Sequence, residues 1–236
     1  MEAYVIQNKH DSSIASADQT VMTAAEKGVV VERHEGQEAP GAKKELTRLG
    51  LKWNYPWNGD QEIDMATGMI KVGYMTANPS KRIACFISHY HLWQKCVERD
   101  APIMVLEHDA RFTSRVTGNR LKEIYDSKFD IVAVNDPRGA TRKSLEYHQM
   151  IPSQAHKGPV TVAPDLGDGH AVPSGLPGNS AYYMKPAGAK KMIELAKQYG
   201  AWPNDALMCR QLLPGKLGCL TTYITRVEKM ASTTTL

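Results

Sequence analysis

Ile103-Met-Val-Leu-Glu-His-Asp109 is the stretch on which the fold turns. Ile103 to Leu106 is an unbroken apolar run of strand length, the pattern of a strand covered on both faces in a parallel sheet. The run stops at three polar residues, Glu107, His108 and Asp109. In open α/β sheets, ligands bind beyond the carboxyl ends of the strands. Two carboxylates flanking an imidazole at such an end suit a divalent cation, Mg2+ or Mn2+, which in turn can hold a phosphate. The plain alternative is a strand that ends in a solvated polar turn.

Working outward, the segment 82–99 just before it is the clearest helix. Ile83, Ile87, Tyr90, Gln94 and Val97 recur at helical spacing, and Phe86 and Trp93 widen the stripe. His89 falls on the border of that stripe, one turn before Trp93, where it can face a cleft, while Ser88 points elsewhere. A lone histidine beside an apolar face can equally be a satisfied structural residue. Nearer the amino terminus, Ala3-Tyr-Val-Ile6 reads as a first strand. A helix over 14–27 follows, capped by Ser12 or Ser13 and ended by Gly28, and Val29 to Arg33 is a second strand. Strand, helix and strand in this order make a βαβ unit, with a parallel pair and a right-handed crossover. That puts Asn8 at the carboxyl end of the first strand, where a nucleotide base can rest. From 39 to 80 the pattern weakens to a short helix over 41–51 and then Trp53, Tyr55 and Trp57 among turn residues. Aromatic platforms stack sugars or bases. The reading preferred here is that these three pack a long loop onto the body.

Beyond Asp109 come a short helix over 121–128 and a buried-type strand over 130–134. That strand ends at Asn135-Asp136, a second acidic strand end that competes with the first for a metal. Residues 137–178 are rich in Gly, Pro and Ser, with Arg138, Arg142 and Lys143 near the start and Asp168-Gly-His170 within. A connection of that length suits a functional lid or a partly mobile segment. A strand over 178–184 leads into a helix that opens at Pro186, buries Ala189, Met192, Ile193 and Ala196, and ends at Gly200. A further short helix runs from Trp202 through Leu213 with Asn204 or Asp205 as its cap. The strand 221–227 is the last, and 229–236 is a frayed, disordered tail.

The chain has 236 residues, 42% hydrophobic and 23% charged, enough for a sizeable core in a soluble globular protein. Its net charge of +4 suits an anionic ligand such as a nucleotide or nucleic acid. No apolar run reaches the roughly 18 residues of a membrane span, so no transmembrane segment is expected, and the first ten residues lack the layout of a secretory signal. Cys85, Cys96, Cys209 and Cys219 show no C-x-x-C spacing and read as reduced, mostly buried thiols of a cytoplasmic protein.

Several segments carry a family resemblance. Ala84-Cys-Phe-Ile-Ser-His89-Tyr-His-Leu-Trp93 resembles the Gly-Cys-x-x-Ser-His-x-x-x-Trp segment of family 25 glycosyltransferases, the lipopolysaccharide and collagen galactosyltransferase group. Leu106-Glu-His-Asp109 sits where that family has Leu-Glu-Asp-Asp, its version of the metal-binding D-x-D motif. Ser180-Ala-Tyr-Tyr-Met, then Gly188-Ala-Lys-Lys, is similar to the family's Gly-Tyr strand and Gly-Ala-x-x-Leu helix, and Pro203-Asn-Asp205 stands in place of its late Asp segment. The likeness runs from about residue 4 to 227. The chain departs from the pattern at His108, the middle acid. Gln7-Asn8 replaces Asn-Leu, and the following Arg-x-x-Arg is missing, with Ser12, Ser13 and Asp18 in that region.

The resemblance implies a GT-A fold. This is one α/β domain over 1–228, with a mostly parallel central sheet flanked by helices. Residues 1–136 would bind a nucleotide-sugar, and 137–228, with the long loop 137–178, an acceptor. The implied reaction moves a hexose from a UDP-sugar to an acceptor hydroxyl with inversion. The implied cofactor is Mn2+ or Mg2+ on Glu107, His108 and Asp109, stabilising the diphosphate leaving group as a Lewis acid. Asn8, Ser88, His89 and Glu107 would line the donor pocket. Asp205, ahead of Asp168 and Asp136, would take the acceptor's proton. The acceptor would be a glycan, a lipopolysaccharide precursor or modified DNA. The basic charge and the Arg138–Lys143 cluster favour hydroxymethylated bases over a lipid. A non-catalytic nucleotide-sugar or glycan-binding module, with His108 marking a decayed metal site, is the remaining class. The retained Glu107 and Asp109 argue against it.

Overall fold

The computed structural model describes residues 1–140, 143–152, 155, 158–166 and 172–228; Arg142, Asp168-Gly-His170 and the tail 229–236 lie outside the described residues. In chain order the elements begin with β1 (Glu2–Gln7), α1 (Asp11–Glu26), β2 (Val31–Glu35), α2 (Ala39–Arg48), β3 (Gln61–Ile63) and β4 (Ile70–Val72). Next come α3 (Pro79–Glu98), β5 (Ile103–Glu107), β6 (Ala110–Phe112), α4 (Gly118–Asp126), β7 (Ile131–Ala133) and β8 (Asn135–Asp136). After a 3-10 turn at Pro137–Gly139 follow α5 (Ser144–Met150), β9 (Val160–Val162), β10 (Ala181–Met184), α6 (Pro186–Tyr199), α7 (Asn204–Leu207), β11 (Leu217–Leu220) and β12 (Thr225–Val227).

Seven strands form the central sheet in the order β2-β1-β5-β10-β7-β11-β9. β2, β1, β5, β7 and β11 run one way, and β10 and β9 run against them. The expected mostly parallel sheet flanked by helices is therefore present, with two reversed strands built into it. Along β1 and β5, Ile6 stands opposite Glu107, so Gln7, Asn8 and the Glu107-His108-Asp109 turn leave the sheet at the same end. A second sheet, β6-β12-β8, continues from that turn.

Successive strand residues face opposite sides of a sheet, and here both sides are covered. Tyr4, Ile103, Val105, Tyr182 and Met184 join the cluster under α3 and α6. Ala3, Val5, Met104, Leu106, Ala181 and Tyr183 join the cluster that contains Ala17 and Ala24 of α1 and Ile124 of α4. This double covering is why the Ile103 run shows no polar alternation.

Four expectations are corrected. The cap of α1 is His10, whose Nδ1 accepts from the Ser12 backbone N–H, rather than Ser12 or Ser13. The Ser13 hydroxyl is drawn off to the Asn8 backbone N–H at 3.1 Å and the His108 imidazole at 3.1 Å. Residues 137–178 are not one long structureless connection, since they carry α5 and the sheet strand β9. Their last part is tied to the α7–β11 connection: Gln211 donates to the Val172 carbonyl at 2.7 Å, and the Arg210 N–H donates to the Ser174 carbonyl at 3.0 Å. The helix after Trp202 stops at Leu207, not Leu213, and β11 stands before the last strand. Its cap is Pro203, so neither Asn204 nor Asp205 fills that position.

The aromatic loop does pack onto the body. Trp53 stacks on Trp57 at 4.9 Å, and Tyr55 is buried against Trp202 at 5.6 Å. Lys71 of β4, fully buried, fastens the β3–β4 hairpin to this loop. Its Nζ donates to the Asn54 carbonyl at 2.9 Å and to the Asn54 side chain at 3.1 Å, with Asp64 and Glu62 each 3.5 Å away. Among the described residues no helix is long and apolar enough to cross a membrane. The four cysteines are free thiols, Cys85 half-buried and the others buried.

Candidate functional site

At the carboxyl end of β5 the Glu107 carboxylate is held on both oxygens. Its Oε1 lies 3.3 Å from His89 Nε2, and Ser180 donates to Oε2 at 3.2 Å. His89 Nδ1 is 2.8 Å from the Tyr182 hydroxyl, which also accepts from Trp93 Nε1 at 2.9 Å. An indole N–H can only donate, so it takes one lone pair of the Tyr182 oxygen and leaves that hydroxyl's proton for His89 Nδ1. His89 then carries its own proton on Nε2 and donates it to Glu107, a tautomer assigned from the network. Burial pushes the Glu107 carboxyl up, but the hydrogen bonds from His89 and Ser180, with His108 nearby, outweigh it and hold the group below the ordinary carboxylate range.

The turn that follows is anchored by α1. The His108 carbonyl accepts from Ser16 Oγ at 2.8 Å, Thr20 Oγ1 at 2.7 Å and Arg111 at 2.9 Å. The His108 ring meets Ser13, and burial lowers its pKa. Asp109 differs from every other acid of the site. Its Oδ1 is buried with no hydrogen-bond partner. Burial and the neighbouring Glu107 charge raise its pKa to about 7, against the opposing pull of Arg111. A buried carboxylate oxygen without a donor is costly, and a cation beside Glu107 and Asp109 would remove that cost. The two acids thus fit the divalent ion expected there. The side chains of Glu107, His108 and Asp109 do not converge as a three. Among the described residues, the metal-ligating atoms that lie within 4.8 Å of one another belong to Cys85, His89 and Glu107.

α7 packs against α3 and α6. Asp205 Oδ2 accepts from the Tyr74 hydroxyl at 3.2 Å, and Oδ1 from the Ala206 N–H at 3.0 Å. Burial raises the Asp205 pKa, Arg82 and Tyr74 pull it down, and the Glu107 charge pushes it up again. Arg82 stacks on the Tyr74 ring at 4.9 Å, and its Nε is buried without a partner. Asn204 Oδ1 faces the Cys85 thiol at 3.9 Å. Gly175, in the segment tied to α7, lies directly over Asp205: a Cβ there would meet the Asp205 carbonyl at 2.1 Å.

The structure therefore joins Glu107 to His89 and sets Asp205 close enough to feel the Glu107 charge, with Asp109 on the turn after Glu107. Asn8 stands at the end of β1, half-buried, its Oδ1 accepting from the His10 N–H at 3.0 Å. Ser88 is 2% exposed, donates to the Ala84 carbonyl and accepts from the Gln37 N–H, and so fixes the turn between β2 and α2. His89 is 1% exposed and meets the half-buried Glu107. Asp136 is bound by Arg138 and caps the 3-10 turn. Sequence reasoning missed Tyr74, Arg82, Cys85 and Tyr182. A signal for two of them existed: Arg82, Cys85 and His89 stand at i, i+3 and i+7, one face of α3.

Residues 75–208, more than half of the chain, match the model of a family described as Glycosyltransferase family 25 (LPS biosynthesis protein). The matched span contains Arg82, Cys85, His89, Glu107, Asp109 and Asp205. No curated protein matches the sequence. Among solved structures, mouse xyloside xylosyltransferase 1 in its apo form is 11% identical, covering 90% of this chain and 80% of that one, with a TM-score of 0.42. A glycosyltransferase involved in the glycosylation of the major capsid of PBCV-1 is 7% identical, covering 98% of this chain and 95% of that one, with a TM-score of 0.43.

Proposed function

Because this chain belongs to glycosyltransferase family 25, we propose that it transfers a hexose from a UDP-sugar to an acceptor hydroxyl, with inversion, using a divalent cation at Glu107 and Asp109 and Asp205 as the base. The observation that carries this reading is a pair of half-buried acids on two elements, within reach of each other's charge and set in opposite directions. Glu107 is held ionised by His89 and Ser180, while Asp205 is pushed up by burial. Titratable groups whose surroundings drive their pKa values apart mark a division of chemical labour.

Each acid has the surroundings its role needs. An ionised Glu107 and the unpartnered Oδ1 of Asp109 suit Mn2+ or Mg2+, and the bound ion supplies Lewis-acid stabilisation of the diphosphate. A raised Asp205 is a stronger base than an ordinary surface carboxylate, and Tyr74 and the Ala206 N–H fix its direction. Arg82 stands near Asp205, its guanidinium acting on that carboxylate and its Nε free to meet an anionic or hydroxyl oxygen. In this reading 1–136 binds the donor and 137–228 the acceptor, with the segment around Gly175 as a wall over Asp205. The family description favours a lipopolysaccharide precursor as acceptor over modified DNA.

Donor turnover with and without Mn2+ tests the proposal. Asp109→Asn should abolish turnover while circular dichroism and Tm stay near wild type. Full activity of that variant, or of wild type in excess chelator, refutes the cation's place.

A further inference from the structure

Three side chains of different chemistry converge where the donor half meets α7. Cys85 Sγ, a nitrogen of His89 and an oxygen of Glu107 all lie within 4.8 Å of one another. Their remaining polar atoms are already held by neighbours. The far nitrogen of His89 rests on Tyr182 at 2.8 Å, and the far oxygen of Glu107 on Ser180 at 3.2 Å. Metal-binding histidines and carboxylates are typically oriented by such outer partners, which aim the ligating atoms inward. The backbone places the group firmly: Cys85 and His89 lie one turn apart on α3, and Glu107 ends the buried strand β5.

We propose that Cys85, His89 and Glu107 form a metal site that takes Zn2+. Thiolate, imidazole and carboxylate together are a zinc donor set, whereas Mg2+ and Mn2+ prefer oxygen. Three protein ligands leave the fourth tetrahedral position open to water or a ligand oxygen. On binding, the Cys85 S–H bond breaks, an S–Zn bond forms and one proton leaves to solvent. His89 stays neutral, with Nε2 on the metal and its proton on Nδ1, donated to the second lone pair of the Tyr182 oxygen. Glu107 turns Oε1 from His89 to the ion. Because Glu107 serves both sites, zinc takes it from the donor's cation and stops transfer; this last consequence rests on the proposed function.

Co2+ is the probe, since it reports thiolate ligation by a near-ultraviolet charge-transfer band where Zn2+ is silent. Wild-type protein titrated with Co2+ should develop that band at one equivalent, and Zn2+ should bleach it. Cys85→Ser should lack the band and bind Co2+ roughly a hundredfold or more weakly, while Cys96→Ser should keep it. No band in wild type at saturating Co2+ overturns the site, and so does a band that survives in Cys85→Ser. The wild-type titration decides alone if Cys85→Ser does not fold. Turnover with a UDP-sugar in Mn2+ is then measured as Zn2+ fills the site. A falling rate in wild type supports the competition, and an unchanged rate at full occupancy overturns it. A cobalt band on a protein that turns over no donor keeps the metal site and rejects the proposed function.

Discussion

Gly175→Ala adds one methyl group at the tightest approach to the proposed base. The new Cβ would stand 2.1 Å from the Asp205 carbonyl and 3.2 Å from that of Met208, where ordinary contact begins at 3.4 Å. Both obstacles are backbone, so no side chain can rotate away. The segment around Gly175 and α7 must part by about 1.3 Å, an overpacking strain of about 1–3 kcal/mol. In a chain of this size, about 1 kcal/mol moves Tm by about 2–4 °C, so Tm should fall by between about 2 and 12 °C. A misplacement of about 1 Å at a reacting group costs roughly a hundredfold in rate. The expected result is a kcat lowered by about that factor with donor affinity unchanged, because Glu107 and Asp109 lie on a different element. Initial rates at saturating donor with varied acceptor, alongside a thermal melt, measure both effects. A lowered Tm with wild-type kcat would show that the position of Asp205 does not matter to the reaction. An unchanged Tm would refute the close approach itself.

Asp205→Asn keeps its oxygen for the Ala206 N–H and turns an amide N–H toward the Tyr74 oxygen, so its Tm should stay near wild type while kcat falls roughly a hundredfold or more. A near-normal kcat sends the base role elsewhere. His89→Ala strips a partner from Tyr182 and another from Glu107 in a buried place, at about 1–3 kcal/mol for each group left unmade. It should lower Tm and raise the Mn2+ concentration needed for half-maximal rate, and an unchanged Mn2+ dependence would make His89 a purely structural residue. His34 is depressed to about 4 by burial first, then by the charges of His91, Lys95 and His89. The unfolded chain therefore binds the extra proton between about pH 6.5 and 4, so the stability from His34 is present above that window and is lost as pH falls through it. His34→Gln should flatten the fall in Tm across that range relative to wild type, and parallel curves would reject it.

The parts of the fold legible in sequence are those whose pattern is set by burial of a whole face. The Ile103 run, the βαβ start and the α3 stripe all came through because burial sets their pattern: the Ile103 run packs against both clusters, and the α3 stripe packs against one as far as Trp93, while Val97 at its end is exposed. What stayed hidden depends on distant neighbours. β11 is a short Leu-Gly-Cys-Leu segment with no β-branched residue, and it becomes a strand only because β7 and β9 flank it. The hairpin of β3 and β4 is two three-residue strands, β3 exposed throughout, held by a buried lysine that no periodicity announces. Leu207 and Leu213 are both buried, yet the chain turns out of helix at Met208, because tertiary packing and not one amphipathic face buries them. The acids Glu107, Asp109 and Asp205 were legible as strand-end and helix-start residues. Their neighbours Tyr74, Arg82 and Tyr182 were not, since aromatic and basic residues on a buried face look like core until the opposite wall is known.

The departure at His108 has a structural account. What fixes the turn after β5 is the backbone carbonyl of residue 108, which accepts from Ser16, Thr20 and Arg111 whatever side chain it carries. The Thr20 hydroxyl and the Ser16 oxygen also accept from Arg111, so α1, β6 and the turn share one hydrogen-bonded knot. An imidazole fits because Ser13 meets it at the first turn of α1. Holding the turn by its main chain leaves the directions of the residues on either side unchanged. Glu107 still ends β5 facing His89, and Asp109 still turns one oxygen into a buried place without a donor. The middle acid of the family's motif can therefore be exchanged without losing the pair of carboxylates. On the proposed function, His108 then marks a change in the preferred ion rather than a decayed site.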